Sequence, residues 1–315
     1  MSRPVGRRWG VALVAVLLAG CAAEADVPQA PPATGLLGAL AGVRATDGSA
    51  TQVEYGEVAA LRALAERDGR FLGLVGYGYS RVAAQHRVLA DVVGFDPGLA
   101  TTAVQVGRDS WAAVLRMDVD VAAVDAKLTA LGGRRDGGTW TTAGDDEISP
   151  DGPLARQGVV TGFQRVRVQA GSVAHATGAE ALRWVTEPGG RTLADDPMVG
   201  ELARCLGEVS AALVSRPKTG LPMAAGVRTT AAGEATEVVC VPDENPKALA
   251  GRVRDNLETG QGAREPWSAV LPGARVEQPA DQTGVVRVLV PAVPGAQVGR
   301  VFTVWHSGDL PALFG

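Results

Sequence analysis

The sequence predicts an α+β protein built from two similar subdomains, each of antiparallel strands with helices packed on one face. Three observations carry this. Short apolar runs with period-2 alternation are bounded by Gly, Pro and Asp, as in strands joined by turns. Between them lie segments whose apolar residues recur at helical spacing, several with a capping residue at the start. The order strand, strand, helix, strand, strand, helix then occurs twice, a meander with helices rather than a doubly wound alternation. The recurrence suggests an internal duplication, although few residues match between the halves.

Residues 21–50 are rich in Ala, Pro and Gly, with Pro28, Pro31 and Pro32 close together, and read as a flexible tether. The first subdomain spans 51–190. A strand at Gln52–Tyr55 leads into a helix over Glu57–Glu66, where Val58, Leu61, Leu64 and Ala65 share a face. A further helix over Arg81–Val93 is closed by Gly94 and punctuated by Asp96 and Pro97. Strands follow at Thr102–Val106 and Trp111–Met117, then a helix capped by Asp120 with Val121, Val124, Leu128 and Leu131 on one side, ended by Gly132 and Gly133. Strands around Thr139–Thr142 and Gly162–Gln169 and a helix at Ala179–Thr186 complete this half.

The second subdomain spans 191–315. Asp195, Asp196 and Pro197 start a helix whose Val199, Leu202 and Leu206 point one way. Strands are expected at Val209–Val214, Met223–Arg228 and Glu237–Val241. Asn245 and Pro246 then open a helix with Leu249, Val253 and Leu257 as its buried face. Strands at Ala274–Glu277 and Gly284–Val290 and a helix from Ala296 to Val304 end the chain.

Ahead of all this, Arg3, Arg7 and Arg8 precede the apolar run Val11–Leu18, the order of a signal peptide over residues 1–20. The run is far short of the roughly 20 apolar residues that span a bilayer. It ends in Leu18-Ala19-Gly20-Cys21, which resembles the bacterial lipobox, in which the cysteine is lipidated before cleavage. With three lysines, two asparagines and an abundance of Ala, Val, Gly and Arg, the whole resembles the exported lipoproteins of actinobacteria that have no assigned activity. The resemblance implies a chain starting at Cys21 and tethered by lipid to the outer face of the cell membrane. Several acyl chains on one cysteine, at about 0.8 kcal/mol per buried CH₂, make such a tether stable where one would not. Arg7 and Arg8 leave the Sec and twin-arginine routes both open.

Removing the three signal arginines leaves 27 basic against 34 acidic residues, a net charge of −7. No basic stripe is visible, which argues against a nucleic-acid partner. With Cys21 committed to lipid, Cys205 and Cys240 remain as an even pair, and in an oxidising compartment one disulfide is the simplest reading. No Cys-x-x-Cys spacing marks them as a redox centre.

The motifs that resemble chemistry are decoys. Ser215-Arg216-Pro217-Lys218-Thr219-Gly220 contains both Ser-x-x-Lys and Lys-Thr-Gly, which resemble signatures of penicillin-binding proteins and serine β-lactamases. One lysine would have to serve both motifs, and Pro217, Gly220 and Pro222 make the segment a turn. The three histidines, His86, His175 and His306, are far apart in sequence and spell no zinc motif. Gly76-Tyr77-Gly78 lacks the third glycine of a dinucleotide loop and reads as a bend. Asp145, Asp146, Glu147 and Asp151 offer oxygen ligands for calcium without EF-hand spacing, so a solvated loop is the stronger reading. Asp118, Asp120 and Asp125 read as a strand end, a helix cap and an exposed turn. Trp111, Trp140, Trp184, Trp267 and Trp305 suit either core anchors or a sugar platform.

No catalytic residue, cofactor or metal site is expected. The sequence therefore favours a membrane-tethered binding or envelope accessory protein, with a small apolar ligand, an envelope polymer or an envelope protein as partner. A cell-envelope hydrolase with a dispersed active site is the alternative.

Overall fold

The first helix arrives earlier than the sequence predicts. The computed structural model describes residues 34–280 and 282–315, so the export segment 1–20, Cys21 and residues 22–33 of the tether lie outside the described residues. The tether was expected to reach residue 50, yet α1 (Gly35–Ala41) already buries Leu36 and Leu40, and Val43 and Ala50 join the same core. Alanine and glycine here serve close helix packing rather than flexibility, and α1 lies against a later helix of the second half.

The chain then forms β1 (Gln52–Gly56), α2 (Val58–Arg67), a 3₁₀ segment at Gly69–Leu74, α3 (Ser80–Ala83), α4 (His86–Val93) and a 3₁₀ turn at Pro97–Leu99. Next come β2 (Thr102–Val106), β3 (Ala112–Arg116), α5 (Val121–Ala130), β4 (Arg134–Asp136), β5 (Thr139–Thr141), β6 (Arg165–Gln169), β7 (Ser172–Ala176) and α6 (Ala179–Thr186). The remainder is α7 (Pro197–Leu206), β8 (Ala211–Ser215), β9 (Met223–Thr229), β10 (Ala235–Pro242), α8 (Pro246–Thr259), α9 (Trp267–Val270), β11 (Arg275–Glu277), β12 (Val285–Pro291) and α10 (Arg300–His306). Among the described residues no helix is long and apolar enough to cross a membrane.

All twelve strands join one antiparallel sheet in the order β11-β12-β10-β9-β8-β1-β2-β3-β7-β6-β5-β4. The α+β class and the antiparallel strands are as predicted. The layering is fuller, because helices cover both faces. Val53, Val106, Ala112, Ala174, Val214 and Cys240 point to one face, where α1, α6 and α7 pack. The alternate residues point to the other, where α2 and α8–α10 cover one half and α3–α5 the other. The division at residue 190 is not a break in the structure: β1 pairs with β8 from Gln52↔Ser215 to Gly56↔Ala211, so one sheet runs through both halves, and the described residues form one compact unit. The halves share part of an order, three meandering strands, a crossover helix, and a hairpin whose second strand returns beside the third, but β4 and β5 of the first half have no counterpart in the second. The shared strands are β1-β2-β3 with β7-β6 and β8-β9-β10 with β12-β11.

Both open edges are short and charged. Arg134, Arg135 and Asp136 of β4 are exposed, and Arg275 and Glu277 are the two ends of β11, which discourages pairing with another chain. The expected disulfide is present, joining Cys205 in the last turn of α7 to Cys240 in β10. Closing a loop with a sequence separation of 35 contributes about 4 kcal/mol in the chain-entropy model.

Three expected boundaries shift for local reasons. The single helix over 81–93 is two, α3 and α4, with Ala84 and Gln85 between them. The strand expected from Gly162 begins at Arg165, because Gly162 takes φ +101° and its N–H donates to the Gln164 side chain instead of a ladder. The last helix starts at Arg300 rather than 296, since Gly299, at φ +95°, is its N-cap.

Candidate functional site

Antiparallel order places the start of β1, the ends of β2, β7 and β8 and the start of β3 at the same end of the sheet. The connections there enclose a cleft of about 670 Å³, lined by Asp47 and Thr51 before β1, Arg108 to Ser110 between β2 and β3, Asp145 and Asp146, and the start of α6. Lys218 and Thr219 complete the wall from the β8–β9 loop, so both halves of the chain contribute.

The wall before β1 is a tight polar turn. Thr46 N–H donates to Ser49 Oγ at 2.9 Å, Ser49 N–H returns a bond to Thr46 Oγ1 at 3.0 Å, and Ser49 Oγ donates to the Arg44 carbonyl at 2.7 Å. Its Gly48 lies against the Trp184 ring, where a Cβ would stand 2.6 Å from the nearest ring carbon. Gly107 meets the same ring, with a Cβ position 2.9 Å away and φ +89°. These two glycines let the indole seat beneath the cleft floor. Trp184 is buried, and its Nε1 has no partner among the described residues.

The acidic loop expected to be solvated is exposed but tied down. Asp145 pairs with Arg165 at 2.7 Å and accepts from Ala179 N–H at 3.1 Å, so its charge sits at the N-terminus of α6. Asp146 takes φ +54°, tolerable for Asp, and accepts from Ser110 Oγ at 2.9 Å. Glu147 accepts from Gly144 N–H and Ser149 Oγ, and Asp151 lies with it along a second groove. Among the described residues no group of three His, Cys, Asp or Glu is placed to hold a metal ion. Beside the cleft, Arg216 lies 3.3 Å from Asp196 and 3.6 Å from Asp47. Asp196 is buried and caps α7 through Met198 and Val199 N–H.

The other residues singled out in the sequence fall elsewhere. Ser215 ends β8 and is buried, while Lys218 stands in the loop beyond it, so the two share no helical turn. His86 Nδ1 lies 2.7 Å from Asp96, which also caps the 3₁₀ turn at Pro97–Leu99. His175 is wholly buried, bonded through Nδ1 to the Gly162 carbonyl and stacked on Phe163 at 4.6 Å. Burial lowers its pKa to about 4, so it stays neutral. His306 is the exposed last residue of α10. Asp120 caps α5 as expected. Asp125 is not in an exposed turn but inside α5, where it accepts from Trp140 Nε1 at 2.7 Å. Trp111, Trp140 and Trp267 are core anchors. Gly76 and Gly78 form the expected bend, both at positive φ.

Two carboxylates with no motif to mark them in the sequence are buried in the sheet. Glu54 of β1 accepts from Gly78 N–H at 2.9 Å and Ser80 Oγ at 2.6 Å, and burial raises its pKa despite these bonds. Glu237 of β10 accepts from Gly299 and Val301 N–H at 2.8 and 2.7 Å. The signal was present: Val53 and Tyr55 face one core, so Glu54 must face the other. Each glutamate holds the start of a helix, which is a structural duty.

No family model, curated protein or solved structure matches the chain.

Proposed function

We propose that the chain is an extracytoplasmic lipoprotein, anchored to the cell membrane through Cys21, that binds a polar segment of an envelope polymer in the cleft at the end of the sheet. The observation that carries the binding reading is the convergence of both halves on one open cleft walled by carboxylates, hydroxyls and two cations. Asp109 and Glu180 offer acceptors, Arg108 and Lys218 donors, and Thr51, Ser110 and Thr219 hydroxyls that do both. Such a wall suits a polyhydroxylated ligand, because each hydroxyl taken from water finds a partner. It suits a small apolar ligand poorly.

The hydrolase alternative draws on one pair, His86 and Asp96, in the arrangement that orients a general base. Among the described residues no serine, threonine or cysteine is hydrogen-bonded to His86, and none of the three histidines lines the cleft. Binding without catalysis is the better-supported reading.

The test is co-sedimentation of the mature protein with insoluble cell-wall polymer, alongside Lys218→Glu and Glu180→Lys. Both positions are exposed, so the fold should survive. Retention by wild type and at least tenfold weaker retention by the variants, about 1.4 kcal/mol, is expected. Equal retention of all three would remove the cleft from the reading. Metabolic labelling with a fatty acid tests the anchor: label is expected on wild type and absent from Cys21→Ala.

A further inference from the structure

We propose that the side of the sheet covered by α2 to α5 rests on the membrane itself, with Leu72 and Leu99 entering the lipid interface. The inference rests on the lipid anchor at Cys21 and adds to it an orientation of the domain.

Six large hydrophobic side chains are exposed among the described residues: Leu72 at 63%, Leu99 at 61%, Ile148 at 70%, Val88 at 44%, Val75 at 39% and Val160 at 36%. Singly, such residues are ordinary. Their distribution is not, because all six belong to segments packed over one side of the sheet. Leu72 and Val75 lie in and just after the 3₁₀ segment whose Phe71 and Leu74 enter the core under α2 and α10. Val88 is on α4, Leu99 ends the 3₁₀ turn against α2 and α4, and Ile148 and Val160 flank Leu154 and Val159 of the neighbouring core. That these cores share a face follows from the register, since Glu54 pairs directly with Leu213 of one and with Gln105, which lies two residues along β2 from Ala103 of the other and so faces the same way. The opposite side, under α1, α6 and α7, contributes none of the six.

The length of chain before the fold identifies the occupant. Twelve residues, 22–33, lie between Cys21 and Thr34, the first described residue, and at full extension the stretch from Cys21 to Thr34 reaches about 45 Å. A unit of this size has a radius of gyration of about 19 Å. The anchor therefore keeps the whole domain within about one diameter of the head groups. At such proximity even a weak apolar contact is populated, as in any linked pair of binding events. Leu72, Val75, Val88 and Leu99 project from separate turns and helices of the long β1–β2 connection, which fits a fluid surface that demands no shape complementarity, while Ile148 and Val160 line the second groove. Exposed Arg67, Arg87 and Arg156 stand on or beside the same segments, where guanidinium groups can reach phosphates while the aliphatic tips go deeper. Ile148 follows Asp145, Asp146 and Glu147, so it marks the shallow rim.

The experiment uses the full lipidated chain in phosphatidylcholine–phosphatidylglycerol vesicles. Single cysteines replace Leu72 or Leu99, or on the opposite side Arg183 or Arg204, and carry an environment-sensitive fluorophore. The native cysteines 205 and 240 are disulfide-bonded and fully buried, so labelling is selective. Blue-shifted emission and quenching by brominated lipid are expected at 72 and 99, and neither at 183 and 204. Labels at 72 and 99 as wet as those at 183 and 204, on protein that floats with the vesicles, would overturn the orientation and leave the anchor intact. Protein that lacks the acyl mass at Cys21 and fails to float would overturn the anchor, and this inference with it.

Discussion

Glu237 is the place where one substitution should report on how the fold is held. Its carboxylate is buried in β10 and accepts two backbone N–H bonds, from Gly299, the N-cap of α10, at 2.8 Å and from Val301 in its first turn at 2.7 Å. Hydrogen bonds to a charged group contribute about 1.5–3 kcal/mol each. Glu237→Gln keeps the shape and one acceptor oxygen but turns an amide donor toward the other N–H, leaving a buried donor unsatisfied at a cost of about 1–3 kcal/mol. Glu237→Ala orphans both donors and opens a cavity, so roughly 3–5 kcal/mol is expected. The assay is urea unfolding of the mature protein under non-reducing conditions. With m of about 3 kcal/mol/M, the alanine variant should lose about 1 M in midpoint and the glutamine variant about half that. Hydrogen exchange in α10 should accelerate in both. A glutamine midpoint indistinguishable from wild type, with α10 still protected, would refute the claim that the carboxylate caps this helix.

Three further outcomes follow from the same reasoning. Cys205→Ala with Cys240→Ala should lower stability by about 4 kcal/mol, with a lower Tm; an unchanged Tm would show that burial alone holds α7 on β10. His175 is lowered from 6.5 to about 4, chiefly by burial, so between those values the unfolded chain binds the extra proton. Its contribution is fully present above about pH 6.5, and roughly 3 kcal/mol is lost as pH falls through 4. Glu54, raised by burial, works in the opposite direction from its ordinary 4.5 upward. The histidine is therefore read as the difference in pH slope between wild type and His175→Leu, and equal slopes would refute its burial as neutral imidazole. A chain starting at Ala33 should melt with the full-length protein, whereas one starting at Gln52 loses buried Leu36, Leu40 and Val43, about 6 kcal/mol at 1.5–3 kcal/mol each. That is comparable to the whole stability of a domain, and a well-folded chain from Gln52 would return α1 to the tether.

What the sequence disclosed tracks how local each cause is. Helix starts rest on a side chain bonding a backbone group two or three residues away, and Asp120, Asp196 and Asn245 all do so. Cysteine parity sufficed for the disulfide. The misses are non-local. Strand β7, Ser-Val-Ala-His-Ala, lacks alternation because it is buried on both faces between β3 and β6. Helix α1 looks like linker because its Gly and Ala positions pay off only against α7 and the strands beneath. The cleft was illegible because its residues come from positions 47 to 219, and only the sheet order brings them together.

A sheet covered on both faces has one further consequence. A polar side chain in its middle is costly without a partner inside the protein, and Glu54, Gln105, His175 through Nδ1 and Glu237 each find one on the same face. They bond Gly78 and Ser80, the Arg81 N–H, the Gly162 carbonyl, and Gly299 and Val301. Each of these partners lies in a connection, so the central polar residues fix where loops and helices cross the sheet. The cleft sits at the strand ends, beyond their reach, and among the described residues no side-chain hydrogen bond from its exposed Asp47, Arg108, Asp109 or Glu180 holds a connection. Under the proposed binding role, stability and recognition fall on different residues. Substitutions in the middle of the sheet should change unfolding midpoints, while substitutions at those four positions should change what the cleft holds and leave the midpoints alone.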